Sequence, residues 1–346
     1  MKIDLFDYHL PKELIAQKPA RPRDHSRLLI LDRAKNKIAH KHFYDLPDIL
    51  TDNDVLVVNQ TKVFPARLYG KKKTGGKVEV LLTQRLNPSG WQALLGGKNL
   101  KIGDIIYFNP SGWQAKIIKD IDGKSKQIRF NCSGKKLEKL IEVAGHTPLP
   151  PYIKTKDSRI IKKDYQTIYA RSSGSAAAPT AGLHFTDRIF KKLEKKGVKI
   201  FKVTLHVGLG TFQPVEVEDI KKHQIHQEWA SIDKKTVDSL NKLKKAGKNI
   251  IAVGTTSART LEAFTDQRGQ LKSGSKWVDI YIYPGYKYKF IDDLITNFHL
   301  PKSSLLFMVS ALAGRENILQ VYKKAIAKKY RFFSFGDAML IVKNRL

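Results

Sequence analysis

The sequence predicts an α/β main domain formed by both ends of the chain, with an inserted antiparallel β-barrel-like domain. Three observations predict it. Buried-strand patterns alternate with helical patterns before about residue 65 and after about residue 150. Between 66 and 149 the texture changes to short apolar runs separated by dense turn signals. The proline-rich stretch "GHTPLPPYIK", 145–154, makes a natural return linker. The expected domains are a discontinuous α/β domain, 1–65 and 150–346, and an inserted β-barrel domain, 66–149.

In chain order, "DVLVVNQ" reads as a buried strand. Within the insertion, "KVEVLL" and "DIIYF" are strand-like. Turn signals stand at Gly75-Gly76, Asn87-Pro88-Ser89-Gly90, Gly96-Gly97, Asn109-Pro110-Ser111-Gly112 and Asp122-Gly123. The heptapeptide "NPSGWQA" occurs at 87–93 and again at 109–115, either as two equivalent turn-plus-strand units or by coincidence. Beyond the insertion, "VKIFKVTLHV" is a strand, and "KKTVDSLNKLKKAGK" is an amphipathic helix that Gly247 stops. "NIIAVG" is a strand, "SARTLEAFT" a helix and "KWVDIYIY" a strand. "PKSSLLFMVSALAG" is a helix opened by Pro301 and Ser303. "ENILQVYKKAIAKKY" is another, followed by a strand near "DAMLIV".

The 346 residues carry 63 Lys+Arg against 32 Asp+Glu, a net charge of +31. A surface of that sign attracts polyanions, so RNA, DNA and anionic membranes are the candidate partners. The competing reading is a lysine-decorated surface, since many lysines sit singly on helix faces, as in "IFKKLEKKG". Cys132 is the only cysteine, which excludes a disulfide framework or Cys-rich metal site within the chain and fits a reducing cytosol. The first residues have no apolar signal-peptide core, and no segment approaches the ~20 apolar residues of a membrane span. A soluble, cytoplasmic protein is expected.

Five stretches could carry chemistry. In "SGSAAAPTAGLHFTD", 173–187, small residues allow close approach of a ligand or a backbone, and His184 follows. Thr186 is a good N-cap, Asp187 suits the first helical turn, and Gly197 is the expected stop. The structural alternative is tight packing around a core histidine. In "TLHVGLGTFQPV", 204–215, Gly208 and Gly210 follow a strand without completing a dinucleotide fingerprint, and an ordinary tight turn has the same spacing. In "NIIAVGTTSARTLEAF", 249–264, a hydroxyl-rich loop meets a helix N-terminus, a place suited to anions. Arg259 in the first turn would oppose the helix dipole, which hints at a job elsewhere, such as a phosphate or carboxylate contact; capping by Ser257 or a neighbour, with a solvated Arg259, is the alternative. "KKHQIHQEW", 221–229, places His223, His226 and Glu228 together and suits acid–base work better than a metal. In "YIYPGYKYKF", Tyr286, Lys287, Tyr288 and Lys289 alternate as a base-stacking, phosphate-binding strip would, or as a half-buried strand would.

Taken together, "YARSSGSAAAPTAGLHFT", "TLHVGLGTFQPV", "HQIHQEW", "VGTTSARTLE", "YIYPGYKYKFIDDLITNFHLPKSSLL" and "YRFFSFGDAMLI" resemble the S-adenosylmethionine:tRNA ribosyltransferase-isomerase family of queuosine synthesis. "LFDYHLPKELIAQKPARPRDHSRLL" and "NQTKVFPARL" fit it as well, so the resemblance runs nearly end to end with motif order kept. It implies an α/β catalytic body with a β-barrel insertion. It also implies transfer and isomerisation of the ribosyl group of S-adenosylmethionine onto 7-aminomethyl-7-deazaguanine at the tRNA wobble position, giving epoxyqueuosine and releasing adenine and methionine. S-adenosylmethionine is then a co-substrate, with no metal and no permanently bound cofactor expected, and a monomer is expected.

That chemistry needs a base near the acidified C–H bonds beside a sulfonium, and an acid for departing adenine. The candidates for proton transfer are His184, His206, His226 and Glu228. Phe185 or Phe212 could border the sulfonium. Gly208, Gly210, Thr255, Thr256, Ser257 and Arg259 are candidates for the nucleoside or the methionine carboxylate, and Tyr286, Lys287, Tyr288 and Lys289 for RNA. Two other classes fit parts of the sequence. An S-adenosylmethionine-dependent RNA methyltransferase would use the glycine loop, although the first strand lacks one. A non-catalytic RNA-binding module would use only the charge and the aromatics.

Overall fold

Apolar runs from both ends of the chain become strands of one sheet. β1 (Arg27–Asp32), β2 (Lys37–His42), the one-turn helix α1 (Leu46–Ile49), β3 (Asp54–Asn59) and β4 (Thr61–Val63) come first. β5 (Arg67–Lys71), β6 (Lys77–Arg85), β7 (Gly90–Gly96), β8 (Ile105–Phe108), β9 (Trp113–Asp120) and β10 (Ser125–Phe130) follow, then α2 (Gly134–Ala144). The remainder is α3 (Arg159–Asp164), β11 (Ser172–Ser175), α4 (Asp187–Lys195), β12 (Lys199–Leu205), β13 (Glu228–Ile232), α5 (Lys234–Lys245), β14 (Asn249–Val253), α6 (Thr255–Ala263), β15 (Gly274–Val278), β16 (Asp293–Asn297), α7 (Ser304–Ala313), α8 (Arg315–Ala327) and β17 (Ala338–Val342). This computed structural model describes residues 1–121, 123, 125–155, 158–208 and 215–346.

Nine strands form a mixed sheet in the order β15-β13-β12-β3-β14-β16-β17-β1-β2. β12, β3, β14 and β16 run parallel, and β17 pairs parallel with β1. Both faces of the central strands are buried, which explains their unbroken apolar runs. Val55 and Val57 of β3 face the core covered by α5, α6, α7 and α8. Leu56 and Val58 face the opposite core, with Ile189 and Leu193 of α4. This is the expected α/β body.

The six strands β10-β7-β6-β5-β8-β9 close into an antiparallel barrel, so no edge is left open. Its interior is apolar, and Leu137 and Ile141 of α2 pack against it. The two "NPSGWQA" copies occupy equivalent places, at the β6–β7 and β8–β9 turns, and each sends its tryptophan, Trp91 or Trp113, into the barrel core.

Capping follows local chemistry. Thr186 accepts the Ile189 N–H to start α4, and Gly197, at φ +88°, sits just past its end. Ser303 does the same work for α7. Two local expectations need correction. The strand expected over "KWVDIYIY" ends at Val278, and Asp279–Tyr283 is irregular. α6 begins at Thr255 with Gly254 as N-cap, so Ser257 is not the cap, and its hydroxyl bonds the Val253 carbonyl at 2.7 Å.

Candidate active site

The antiparallel pairing of β12 with β13 brings two of the expected residues together. Leu205 lies opposite Ala230, and the His206 N–H donates to the Trp229 carbonyl at 2.9 Å. His206 at the end of β12 therefore stands beside Glu228 at the start of β13. α6, returning from the end of β14, supplies Arg259. This is the carboxyl edge of the parallel strands, where open α/β sheets place their ligands.

Glu228 is 3% exposed and Arg259 6%. Arg259 Nη1 donates to Glu228 Oε2, and the Gly208 N–H donates to Oε1 at 2.9 Å. Arg259 Nε and Nη2 are buried with no hydrogen-bond partner among the described residues. Arg259 lies in the second turn of α6 rather than the first. The carboxylate it contacts is that of Glu228.

His206 is held on three sides. Its ring stacks on Trp229, with centroids 5.2 Å apart. Gly174 lies against its other side, where a Cβ would stand 2.7 Å from Nε2. Nδ1 is 2.8 Å from Thr61 Oγ1, and when that hydroxyl turns to the Ser172 carbonyl, 3.5 Å away, its oxygen accepts from Nδ1–H. In that tautomer Nε2 keeps its lone pair. Burial pushes the His206 pKa down to about 4, so the ring is neutral near pH 7.

These residues open on a cleft of about 870 Å³ between body and barrel. His206, Gly208, His226 and Glu228 line it from the body, and Arg85, Trp91 and Gln92 from the barrel. Its volume is in the range of a small-molecule site. His226 is exposed at its mouth. A narrower cavity beside it is bordered by His223, His226, Glu228 and Arg259. Burial lowers the His223 pKa, with His226 adding to the effect. Among the described residues no three His, Cys, Asp or Glu side chains gather as metal ligands.

The other expected site residues lie elsewhere. His184 is 4% exposed and has both ring nitrogens occupied, Nδ1 by Ser26 Oγ at 2.7 Å and Nε2 by Asn297 Nδ2 at 3.2 Å. It stacks on Phe43, and burial pushes its pKa down to about 4. Phe185 is fully buried against Phe43 and Phe190. Thr255 and Thr256 line a separate small cavity at the start of α6. Gly210 and Phe212 lie outside the described residues.

The segment from Tyr286 to Lys289 is irregular and wraps the last turn of α6. Buried Glu262 accepts from the Tyr286 hydroxyl, the Lys289 N–H and the Phe290 N–H, each at 2.9 Å, and from the Ile291 N–H at 3.1 Å. The Tyr288 hydroxyl donates to the Met308 carbonyl at 2.8 Å. Both tyrosines thus have internal partners for their hydroxyls, while Lys287 and Lys289 are exposed. The whole strip sits at the opposite end of α6 from Thr255.

Sequence reasoning passed over Gly174, Thr61, Trp229 and the barrel wall. Gly174 lay inside the small-residue run, and its proximity to a histidine 32 positions away depends on the pairing of β11 with β4.

Glu228, held by Arg259, and the neutral His206 meet at a cleft of small-molecule size in an α/β body, as the site of an enzyme would. The chain belongs to the family described as queuosine biosynthesis protein, whose model matches residues 3–341. Two similar proteins are each named S-adenosylmethionine:tRNA ribosyltransferase-isomerase. One from Desulforamulus reducens is 50% identical over 99% of this chain and 100% of its own length. The other, from Symbiobacterium thermophilum, is 49% identical over the same shares. A crystal structure of S-adenosylmethionine tRNA ribosyltransferase from Thermotoga maritima is 34% identical. It covers 98% of this chain and 100% of that one, with a TM-score of 0.55.

Proposed function

We propose that this chain is the S-adenosylmethionine:tRNA ribosyltransferase-isomerase of queuosine biosynthesis. The observation that carries the proposal is the end-to-end match, at about half identity, to proteins of that name. The substrates are S-adenosylmethionine and a tRNA whose wobble position bears 7-aminomethyl-7-deazaguanine. The product is epoxyqueuosine-tRNA, with adenine and methionine released. The enzyme works in the cytoplasm as a monomer, without a metal. Its catalytic body comprises 1–65 and 150–346, and 66–149 form the inserted barrel domain.

The roles follow from the chemistry of the side chains. A sulfonium is a cation, and Glu228 places a negative charge at the cleft. Arg259 and the Gly208 N–H hold that carboxylate in one orientation. His206, neutral near pH 7 with the Nε2 lone pair available, is the candidate base for removing a proton from carbon beside the sulfonium. His226, exposed at the mouth, serves proton exchange with departing adenine. His184, with both nitrogens engaged, positions Asn297. The net charge of +31 attracts the RNA backbone.

The test is adenine release from S-adenosylmethionine with an anticodon stem-loop carrying the aminomethyl base, against a guanine-bearing control. Adenine only with the modified RNA, together with a matching mass gain on it, is expected. A mass gain of one methyl group would instead make this a methyltransferase. RNA binding without any turnover would make it a binding module.

A further inference from the structure

The small cavity at the start of α6 takes no part in the roles above, yet it is built for an anion. The N-cap, Gly254, has φ +84° and offers no side chain to the first turn, whereas α4, α5 and α7 are capped by Thr186, Asp233 and Ser303. The N–H groups of Thr255, Thr256 and Ser257 meet no acceptor among the described residues. Such a terminus carries partial positive charge and outward-pointing donors.

A second observation is independent of the helix. Thr256 is 7% exposed, borders the cavity, and its Oγ1 is buried with no hydrogen-bond partner among the described residues. A buried hydroxyl without a partner is costly, and a bound acceptor would remove that cost. The cavity holds about 40 Å³, enough for a small planar group. Among the described residues no Asp, Glu, Lys or Arg lines it. Its opposite wall is the small-residue run, with Ala178 and Ala181 among the lining residues, and a Cβ on Gly254 would stand 3.5 Å from that of Ala181. The run thus leaves room for a ligand beside the helix terminus.

We propose that this cavity is the oxyanion subsite that takes the α-carboxylate of the co-substrate's amino-acid end, bound by the first-turn N–H groups of α6 and by Thr256 Oγ1. The inference rests on S-adenosylmethionine being the co-substrate. Leu305 borders both this cavity and the one that holds Glu228 and Arg259. Thr256 and Arg259 are about one helical turn apart, ~5 Å along the axis. A ligand anchored here by its carboxylate therefore extends its sulfonium towards Glu228. Arg259 is the poorer anchor, because Glu228 pairs with its Nη1 and its charge would repel a second carboxylate at the open Nε and Nη2 donors.

Calorimetry on the full chain, with the guanine-bearing anticodon stem-loop present, decides the matter. The ligands are S-adenosylmethionine and its decarboxylated analogue, which keeps adenosine, sulfonium and amine. Wild type should bind S-adenosylmethionine roughly tenfold or more tighter than the analogue. Thr256→Val should shrink that preference and leave the analogue's affinity unchanged, and Thr256→Ser should restore it. Equal affinity of wild type for both ligands overturns the carboxylate assignment and leaves the co-substrate standing. A preference that survives Thr256→Val also overturns it. Binding of neither ligand to wild type overturns the assignment and the functional reading together.

Discussion

Arg259 and Glu228 form an ion pair in which both side chains are buried, joining α6 to the first residue of β13. The pair lies between the two helical and strand elements that frame the cleft, so it bears on both stability and chemistry. Arg259→Met should leave an uncompensated buried carboxylate and cost about 3–5 kcal/mol, read as a lower midpoint in urea unfolding. Glu228→Gln keeps the shape and should cost less stability, while adenine release falls by roughly a hundredfold or more. Near-normal release in Glu228→Gln would remove Glu228 from the chemistry.

Gly174 has φ +148°, and a Cβ there would press on the His206 ring. Gly174→Ala should therefore displace His206 and reduce kcat while the fold persists. Circular dichroism paired with single-turnover adenine release separates the two effects. Unchanged kcat would show that the position of this ring is unimportant.

Acid should destabilise the protein well before its carboxylates are titrated. Burial holds His184 and His206 at pKa values of about 4, and His299 at about 3. In the unfolded chain these groups titrate near ~6.5. Below that pH the unfolded chain binds more protons than the native one, so their stabilising contribution, complete above ~6.5, declines as pH falls towards 4. Asp293 opposes the trend, because burial raises its pKa to about 6 and the native state protonates it first. His40 and His223, also lowered by burial, act with these three, and together they predict a lower urea midpoint at pH 5 than at pH 7. His184→Gln should flatten the slope.

The carboxylate of Glu262 gathers four donors, three of them backbone N–H groups of residues 289–291. Glu262→Ala should strand those donors and loosen the 286–291 segment by a few kcal/mol, at about 1–3 kcal/mol for each one left unsatisfied. Hydrogen exchange at Phe290 and Ile291 should accelerate. Tyr286→Phe should leave RNA affinity unchanged, since that hydroxyl is already engaged, whereas Lys287→Glu should weaken it.

RNA affinity should fall steeply with salt. Between about 50 and 200 mM salt, Kd for the stem-loop should rise roughly tenfold or more through counterion release. A flat titration would leave the basic surface without a part in binding.

Much of the architecture was legible in the sequence because it is written in local patterns. The uninterrupted apolar runs of β3 and β14 announced strands covered on both faces, and dense turns announced the barrel. Arg259 and Glu228 were each legible as candidates, but their pairing across 31 residues of chain was not. His184 could not be told from a reactive histidine, since Ser26 and Asn297, which occupy its ring, are 158 and 113 residues away. The Tyr–Lys strip alternates as a strand would, yet Glu262 takes the Tyr286 hydroxyl and the N–H groups of Lys289, Phe290 and Ile291 in place of a ladder partner. Periodicity cannot report a partner on another element.

The first strand of the sheet lies between the second and the last, since β1 pairs with β2 and β17. β17 also separates β1 from β16. During synthesis the two parts of the sheet therefore cannot join until residues 338–342 have left the ribosome, whereas every strand of the barrel lies between Arg67 and Phe130. Nascent chains arrested before residue 338 should show a protease-resistant barrel on a digestible body, so the α/β half of the molecule closes only once β17 is available.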